Sequence, residues 1–427
     1  PCIGTMLFTS IYGIVDGLCV SNFVGKTAFA AVNLIMPLPM LLGTIGFMLG
    51  TGGSAIVGIT LGEGDQKKAD RYFTLFLLAA LVSVSVLAVL GIVFLRPIAV
   101  LLGAKGELLD YAVRYGRILM VSLPTFALQN MFQSFFVTAE KPHLGFWFTV
   151  GAGCTNMVLD VLMVGVWGWG VEGAAIATFI SQLVGGVLPV FYFIDRSNTS
   201  RLHLCQTKVY GGVLRDACIN GSSELMTNLS MSLVNILYNY QLLRLAGENG
   251  VAAYGVIMYA AFLFVAVFVG YAVGSAPIVS FHYGARNHAE VHNLYRKSLR
   301  LIAVVAVTLT LASMFIIPCV ARVFVGYDAE LLALTSRAFR LYALSFLIMG
   351  FNVYASSFFT ALGDGVTSAL ISFLRTLAFQ VIAILLLPML LGIDGIWLAV
   401  TAAELAALAV SAAMLLTKDK VFHYRKA

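Results

Sequence analysis

Two acidic residues lie where the sequence gives them little water. Asp16 falls in the run YGIVDGLCV and Asp160 in TNMVLDVLMVG, with Asn156 one turn before Asp160 on the same helical face. Thr178 and Tyr115 stand in two further apolar runs. Counted from the nearer ends of their runs, Asp16 is about five residues in, Asp160 about six and Thr178 about seven, or roughly 7–11 Å at helical rise. Tyr115 opens its run on that same side. Desolvation and like-charge repulsion make it costly to keep two such carboxylates charged together, so the pair could load and release a proton. The same oxygens, with the Asn156 carbonyl and the Thr178 hydroxyl, also suit a small hard cation such as Na⁺. The competing reading is structural: Asp16 hydrogen-bonds at a helix end, and Asn156 and Asp160 tie helices together.

The elements that position these residues follow from composition. Of 427 residues, 60% are hydrophobic and 11% charged, against about 25% charged in a typical soluble domain. Residues 75–94 and 302–321 are wholly uncharged, each long enough as a helix to cross about 30 Å of hydrocarbon. Lipid-facing backbone must satisfy its own hydrogen bonds, so the runs are expected to be helices. The stretch from Phe23 to Phe73 recurs at Leu245 to Tyr295: Gly25 matches Gly247, Ile35-Met36 matches Ile257-Met258, and Gly62 matches Gly284, an offset of 222. The offset holds at Thr138 with Thr360, Gly170 with Gly392 and Gly173 with Gly395. The chain therefore reads as two copies of one unit. Spans fall at about 2–20, 29–60, 73–95, 111–138, 144–166, 171–193, 214–244, 251–281, 298–321, 336–361, 368–390 and 395–417. This is an all-α membrane protein of twelve transmembrane helices in two pseudo-symmetric six-helix lobes, 1–194 and 213–427. An even number of spans per copy relates the lobes by an axis along the membrane normal. The polar stretch 195–212 reads as a cytoplasmic linker.

Even-numbered loops and the C-terminal segment carry sixteen Lys and Arg, odd-numbered loops nine. The heavier side is expected in the cytoplasm with both termini, placing the chain in the plasma (cell inner) membrane. The net charge of +6 is then a topology signal, and no nucleic-acid partner is implied. Loops are too short for a catalytic domain, so function belongs between the helices. The second copy does not repeat the acid set: at offset 222, Asp16, Asn156, Asp160 and Thr178 become Tyr238, Ala378, Ile382 and Val400. Its own polar residues are Glu224, Asn228, Asn235 and Asn239 in the seventh span, Arg375 in the eleventh and Glu404 in the twelfth. The three asparagines share a face compatible with a substrate-cavity wall or with interhelical hydrogen bonding. Arg375 and Glu404 fall at similar depth and read as a buried, structural pair. Gly43, Gly46, Gly50, Gly52 and Gly53 read as close helix contacts. Pro37, Pro39, Pro124, Pro189, Pro277, Pro318 and Pro388 mark expected bends. The six cysteines show no paired spacing and read as small buried hydrophobes. His288 and His292 have metal-pair spacing in a charged loop with no third ligand, and Gly62-Glu63-Gly64-Asp65 reads as a turn.

The runs VDGLCVSNFVGKTAFAAVNL, GEGDQKKADRYF and TNMVLDVLMVGVWGWGVEGAAIATFISQ, with AGENGVAAYGVIMY and GSAPIVSFHYGARN in the second copy, resemble the multidrug and toxic compound extrusion (MATE) transporters. The resemblance covers nearly the whole chain. It implies a V-shaped cavity between two six-helix lobes and antiport of lipophilic organic cations against H⁺ or Na⁺, with no other cofactor. It puts the family's first-lobe cation site on Asp16, Asn156, Asp160 and Thr178, its hydrogen-bonding tyrosine on Tyr115 and its bend-forming proline on Pro1. Departures are the absence of a carboxylate in the tenth span and the shallow position of Glu224. Contact with membrane lipids and a monomeric state are expected. The rival readings are a lipid or lipid-linked saccharide flippase of the same superfamily, which would present a strongly basic cavity, and an intramembrane aspartyl protease, for which flanking glycine signatures are absent.

Overall fold

The apolar runs do fold as helices. A computed structural model describes residues 1–23, 31–32, 34–195, 197–326 and 328–424, with the side chains of 14, 16–23, 248, 320, 323 and 324 outside the described set. Among the described residues there is no strand. The first six helices are α1 (Cys2–Phe23), α2 (Pro37–Gly62), α3 (Gln66–Leu101), α4 (Glu107–Thr138), α5 (Pro142–Val166) and α6 (Gly170–Ile194). The helical stretch Gly211–Gly284 is divided by Gly247, at φ 61° and ψ −151°, into α7 (211–246) and α8 (248–284). Then follow α9 (His288–Val325), α10 in two pieces (Ala329–Ala343 and Phe346–Ala361), α11 (Gly365–Leu391) and α12 (Ile393–Thr417). The chain divides into two compact units, Pro1–Gly221 and Ser222–Ala427.

Apolar side chains surround these helices on both faces, as a membrane requires. On α3, Val82, Val86, Val89 and Val93 form one exposed stripe, while Ala80, Val84, Ala88 and Leu95 are buried on the opposite face. Helix α9 repeats the arrangement, with Val304, Val307, Leu311 and Phe315 outside and Ile302, Ala306 and Ile317 inside. Eight of the described helices are each long and apolar enough to cross a membrane, and the bent α10 makes a ninth. The other three are α1, α4 and α7. Helix α4 carries Gln129, Asn130, Ser134 and Thr138, all buried, which lowers its hydropathy without exposing a polar group to lipid.

The duplication extends to the turns. Asp65 caps α3 by accepting from the Lys68 backbone N–H at 3.0 Å, and its counterpart Asn287 caps α9 by accepting from Glu290 at 3.1 Å. Gly170 and Gly392 both take positive φ, 59° and 60°, before α6 and α12. Three residues later a side chain on Gly395 would lie 2.3 Å from the Leu387 carbonyl, which accounts for the repeated Gly-x-x-Gly. The prolines sit both at helix ends and within helices. Pro37 starts α2 and Pro189 follows a break in α6, but Pro124, Pro277, Pro318 and Pro388 lie inside continuous helix. A further bend, of 46°, divides α10 at Leu344–Ser345, where there is no proline. There the Ser345 and Leu347 N–H groups bond to carbonyls three residues back, a local tightening that turns the axis.

The polar segment after α6 is strapped to α3. The His203 N–H donates to Asp70, the Cys205 N–H to Thr74 Oγ1, and Thr207 Oγ1 to the Arg71 carbonyl, while Tyr210 stacks edge-on to Tyr72. The cysteine reading needs a correction: none of the five described cysteines is buried, Cys154 and Cys319 being exposed and Cys2, Cys205 and Cys218 half-buried, while the side chain of Cys19 lies outside the described residues.

Candidate functional site

The helices that carry the expected first-copy residues pack on one another. Helix α1 packs on α5, α5 on α6, and α6 on α4. Asp160 is fully buried and Asn156, one turn earlier, nearly so. Asn156 Nδ2 has no hydrogen-bond partner among the described residues. Directly after Asp160 the helix widens into a π segment, Val161–Val166. An inserted residue of that kind rotates the side chains on either side of it, and such segments recur at functional sites. Tyr115 is buried in a cluster with Val164 of that segment and Val171, Ala174 and Ala175 of α6, its hydroxyl 3.9 Å from Met36 Sδ. Thr178 Oγ1 donates to the Ala174 carbonyl at 3.0 Å, a bond that uses its proton and not its lone pairs. Asp16 lies on α1 by position, and its side chain is outside the described residues. The oxygens of Asp160, Asn156 and Thr178 are the donor type a Na⁺ ion or a proton needs. Among the described residues no group of three His, Cys, Asp or Glu is placed to hold a metal.

The seventh-span residues separate. Asn235 Oδ1 accepts from the Tyr254 hydroxyl at 2.7 Å, tying α7 to α8. Asn228 Nδ2 donates to the Glu224 backbone carbonyl at 2.9 Å, a bond within the helix. Asn239 lines a cavity of about 500 Å³ with Tyr240, Leu243, Val251 and Ala252. One shared face thus serves three different tasks. His292 Nδ1 lies 3.0 Å from the Tyr424 carbonyl, holding the C-terminal segment instead of a metal.

Arg375 and Glu404 do meet, Nε to Oε1 at 2.8 Å, with 13% and 1% of their side chains exposed. Sequence reasoning missed what surrounds them. Asn352 Nδ2 donates to Glu404 Oε2 at 2.7 Å and to its carbonyl at 2.9 Å, and Ser411 Oγ donates to Asn352 Oδ1 at 2.9 Å. Arg375 itself stands in a second π segment, Leu374–Ala378. The available signal was the Asn-x₃-Ser-x₃-Thr spacing at Asn352, Ser356 and Thr360, which the first copy repeats at Asn130, Ser134 and Thr138.

The sequence and the helical fold both have counterparts among known proteins. The chain is 21% identical over 98% of its length, and 92% of the relative's, to the multidrug export protein MepA of Staphylococcus saprophyticus subsp. saprophyticus. It is 22% identical, over the same shares, to the protein of that name in Staphylococcus aureus strain MSSA476. The fold superposes on the outward-facing conformation of a multidrug resistance MATE family transporter of the MOP superfamily with a TM-score of 0.93 and 23% identity, covering all of this chain and 95% of that one. The model of the MatE family matches twice, over residues 1–162 and 225–386, once in each copy of the repeat, and the chain belongs to that family.

Proposed function

We propose that this protein is a secondary active multidrug efflux transporter that exchanges lipophilic organic cations for H⁺ or Na⁺ by alternating access. The observation carrying this reading is the fully buried Asp160, one turn from the buried Asn156, whose amide has no partner among the described residues, and directly ahead of a π segment. An acid held there has a function by default, because burying it for structure alone is expensive. Asp16, Tyr115, Asn156, Asp160 and Thr178 form the cation site of a first lobe, 1–194. The linker 195–212 follows it, and a second lobe, 213–427, supplies further substrate-facing surface, with Glu224, Asn228, Asn235 and Asn239 as its polar residues. The names of the MepA relatives support drugs as the cargo.

A cation arriving from outside neutralises the acid pair, which removes the cost of its charge and lets α1 and α5 close on one another. Coupling requires that cation and drug favour different conformations of the lobe, so that loading one lowers affinity for the other. The protein works as a monomer in the plasma membrane with both termini in the cytoplasm. Arg375, the basic residue in mid-span, is taken up by Glu404, which argues against a phosphate-binding flippase cavity built on it. The test is efflux of a fluorescent organic cation from proteoliposomes under a pH gradient and, separately, a Na⁺ gradient. One gradient should drive efflux in the native chain and fail with Asp160→Asn. A folded, inserted protein that moves dye under neither gradient refutes the exporter reading.

A further inference from the structure

We propose that Glu404 is a second proton-binding acid, reached from the cytoplasmic side through a ladder of hydroxyls between α10 and α11. The proposal rests on the transporter reading for its use, though not for its chemistry. Glu404 is eleven residues from Ile393 and thirteen from Thr417, about 16 and 20 Å at helical rise. It therefore lies near the middle of the membrane, where carriers place their coupling groups. The groups facing it are Arg375 from α11, and Asn352 and Tyr342 from α10, with Ser411 behind Asn352.

On α10, Asn352, Ser356 and Thr360 follow at four-residue spacing, and on α11 so do Ser368, Ser372 and Thr376. The two rows meet. Ser356 Oγ lies 2.9 Å from both Ser368 Oγ and Ser372 Oγ, Thr360 Oγ1 donates to Ser368 Oγ at 2.7 Å, and Thr376 Oγ1 donates to the Ser372 carbonyl at 2.7 Å. All six are buried. The row ends at the mouth of α11, where Asp364 caps the helix and holds Lys418 at 2.9 Å. The first copy keeps Asn130, Ser134 and Thr138 but faces them with Phe146, Val150 and Cys154 in place of Ser368, Ser372 and Thr376. Its counterpart of Glu404 is Gln182. Acid and facing hydroxyls therefore occur together in one copy and are missing together from the other. Helix adhesion alone gives no reason for that concurrence.

A hydroxyl accepts a proton on one lone pair while donating its own, so each Ser passes one proton and ends unchanged. Asn352 orients Glu404 and its amide does not relay a proton; the last step, about one helical turn or 6 Å from Ser356, passes over a bridging water alongside Asn352. When Glu404 takes a proton its charge is lost, and Arg375, which stays protonated, gives up its partner. Its π segment is then free to shift. Proton occupancy of Glu404 is thereby tied to the position of Arg375.

The test is infrared difference spectroscopy of the reconstituted full chain after a pH jump, reading the carboxylic acid C=O band. The native protein should show a band that disappears with Glu404→Gln, a change that leaves the Asn352 contact in place. With Ser356→Ala and Ser368→Ala together, the band should rise about tenfold more slowly, the weight of one lost hydrogen bond. Paired Arg375→Gln and Glu404→Gln, which leaves no buried charge behind, serves where the single variant does not fold. An unchanged spectrum in both glutamine variants, or an unchanged rate in the serine variant, overturns the proposal. Failure of dye efflux in the native protein, with these bands intact, instead overturns the exporter reading alone.

Discussion

Cutting the Arg375–Glu404 pair on one side and on both sides should have opposite consequences. With Arg375→Met, Glu404 keeps the Asn352 bond at 2.7 Å but loses its counter-charge in a site where its side chain is 1% exposed. Stranding one partner of a buried pair costs about 3–5 kcal/mol, whereas replacing both with apolar groups of similar volume is close to neutral or stabilising. Arg375→Met with Glu404→Leu should therefore recover most of the loss, leaving a coupling energy of about 3–5 kcal/mol in a double-mutant cycle. For a unit of 150–250 residues that corresponds to a fall of about 6–20 °C for the single variant. Values near the lower bound are expected, because a membrane protein unfolded in detergent still finds polar partners for Glu404. The assay is thermal unfolding followed by tryptophan emission, with the buried Trp397 as a reporter on α12. A double variant as unstable as the single one, or a single variant within about 0.5 kcal/mol of the native protein, would refute the argument that these charges depend on each other.

Three further outcomes are expected. Asn156→Leu removes a buried amide with no partner among the described residues, so the melting midpoint should hold or rise by the equivalent of about 1–3 kcal/mol while cation-driven efflux is lost; a clear fall in the midpoint would return Asn156 to a purely structural role. A side chain on Gly46 would stand 2.4 Å from the Ala127 carbonyl, so Gly46→Leu should separate α2 from α4 and cost about 1–3 kcal/mol or more, read as a lower midpoint and poor yield. Burial works to raise the Asp364 carboxyl, but the bonds from Lys418 and Thr367 outweigh it and hold the group below the usual carboxylate range. Its contribution to stability is therefore present above that range and lost as pH falls through the lowered value. Melting midpoints measured down to acid pH should show this loss, and Asp364→Asn should flatten it.

Local chemistry makes part of the fold legible from the amino-acid sequence alone. Uncharged runs cannot leave their backbone unsatisfied in lipid, so helices are forced, and the repeated glycines at Gly170 and Gly392 mark a positive-φ turn that few other residues adopt. What depends on the partner across an interface is not legible in this way. The span at 111–138 is legible, but that its Gln129 and Asn130 are buried against other helices is seen only in the structure. The bend of α10 falls at Ser345, where no proline announces it.

The two buried constellations differ in how far sequence could reach them. An acid in an apolar run such as Asp160 is conspicuous by itself, and helical spacing places Asn156 on the same face. Serines and threonines in transmembrane helices are ordinary, and Ser356, Ser368 and Ser372 acquire meaning only once α10 and α11 are seen to bring their hydroxyls within 2.9 Å. Comparing the copies supplies the missing signal. Where duplicated helices keep the same Asn-x₃-Ser-x₃-Thr row, the row belongs to the scaffold. Where one copy alone adds Ser368, Ser372 and Glu404 opposite it, the addition belongs to what that copy does. By the same test Asp160, which becomes Ile382 in the second copy, is specific to the first. Among the described residues each copy thus carries a fully buried acid that the other lacks, Asp160 in the first and Glu404 in the second.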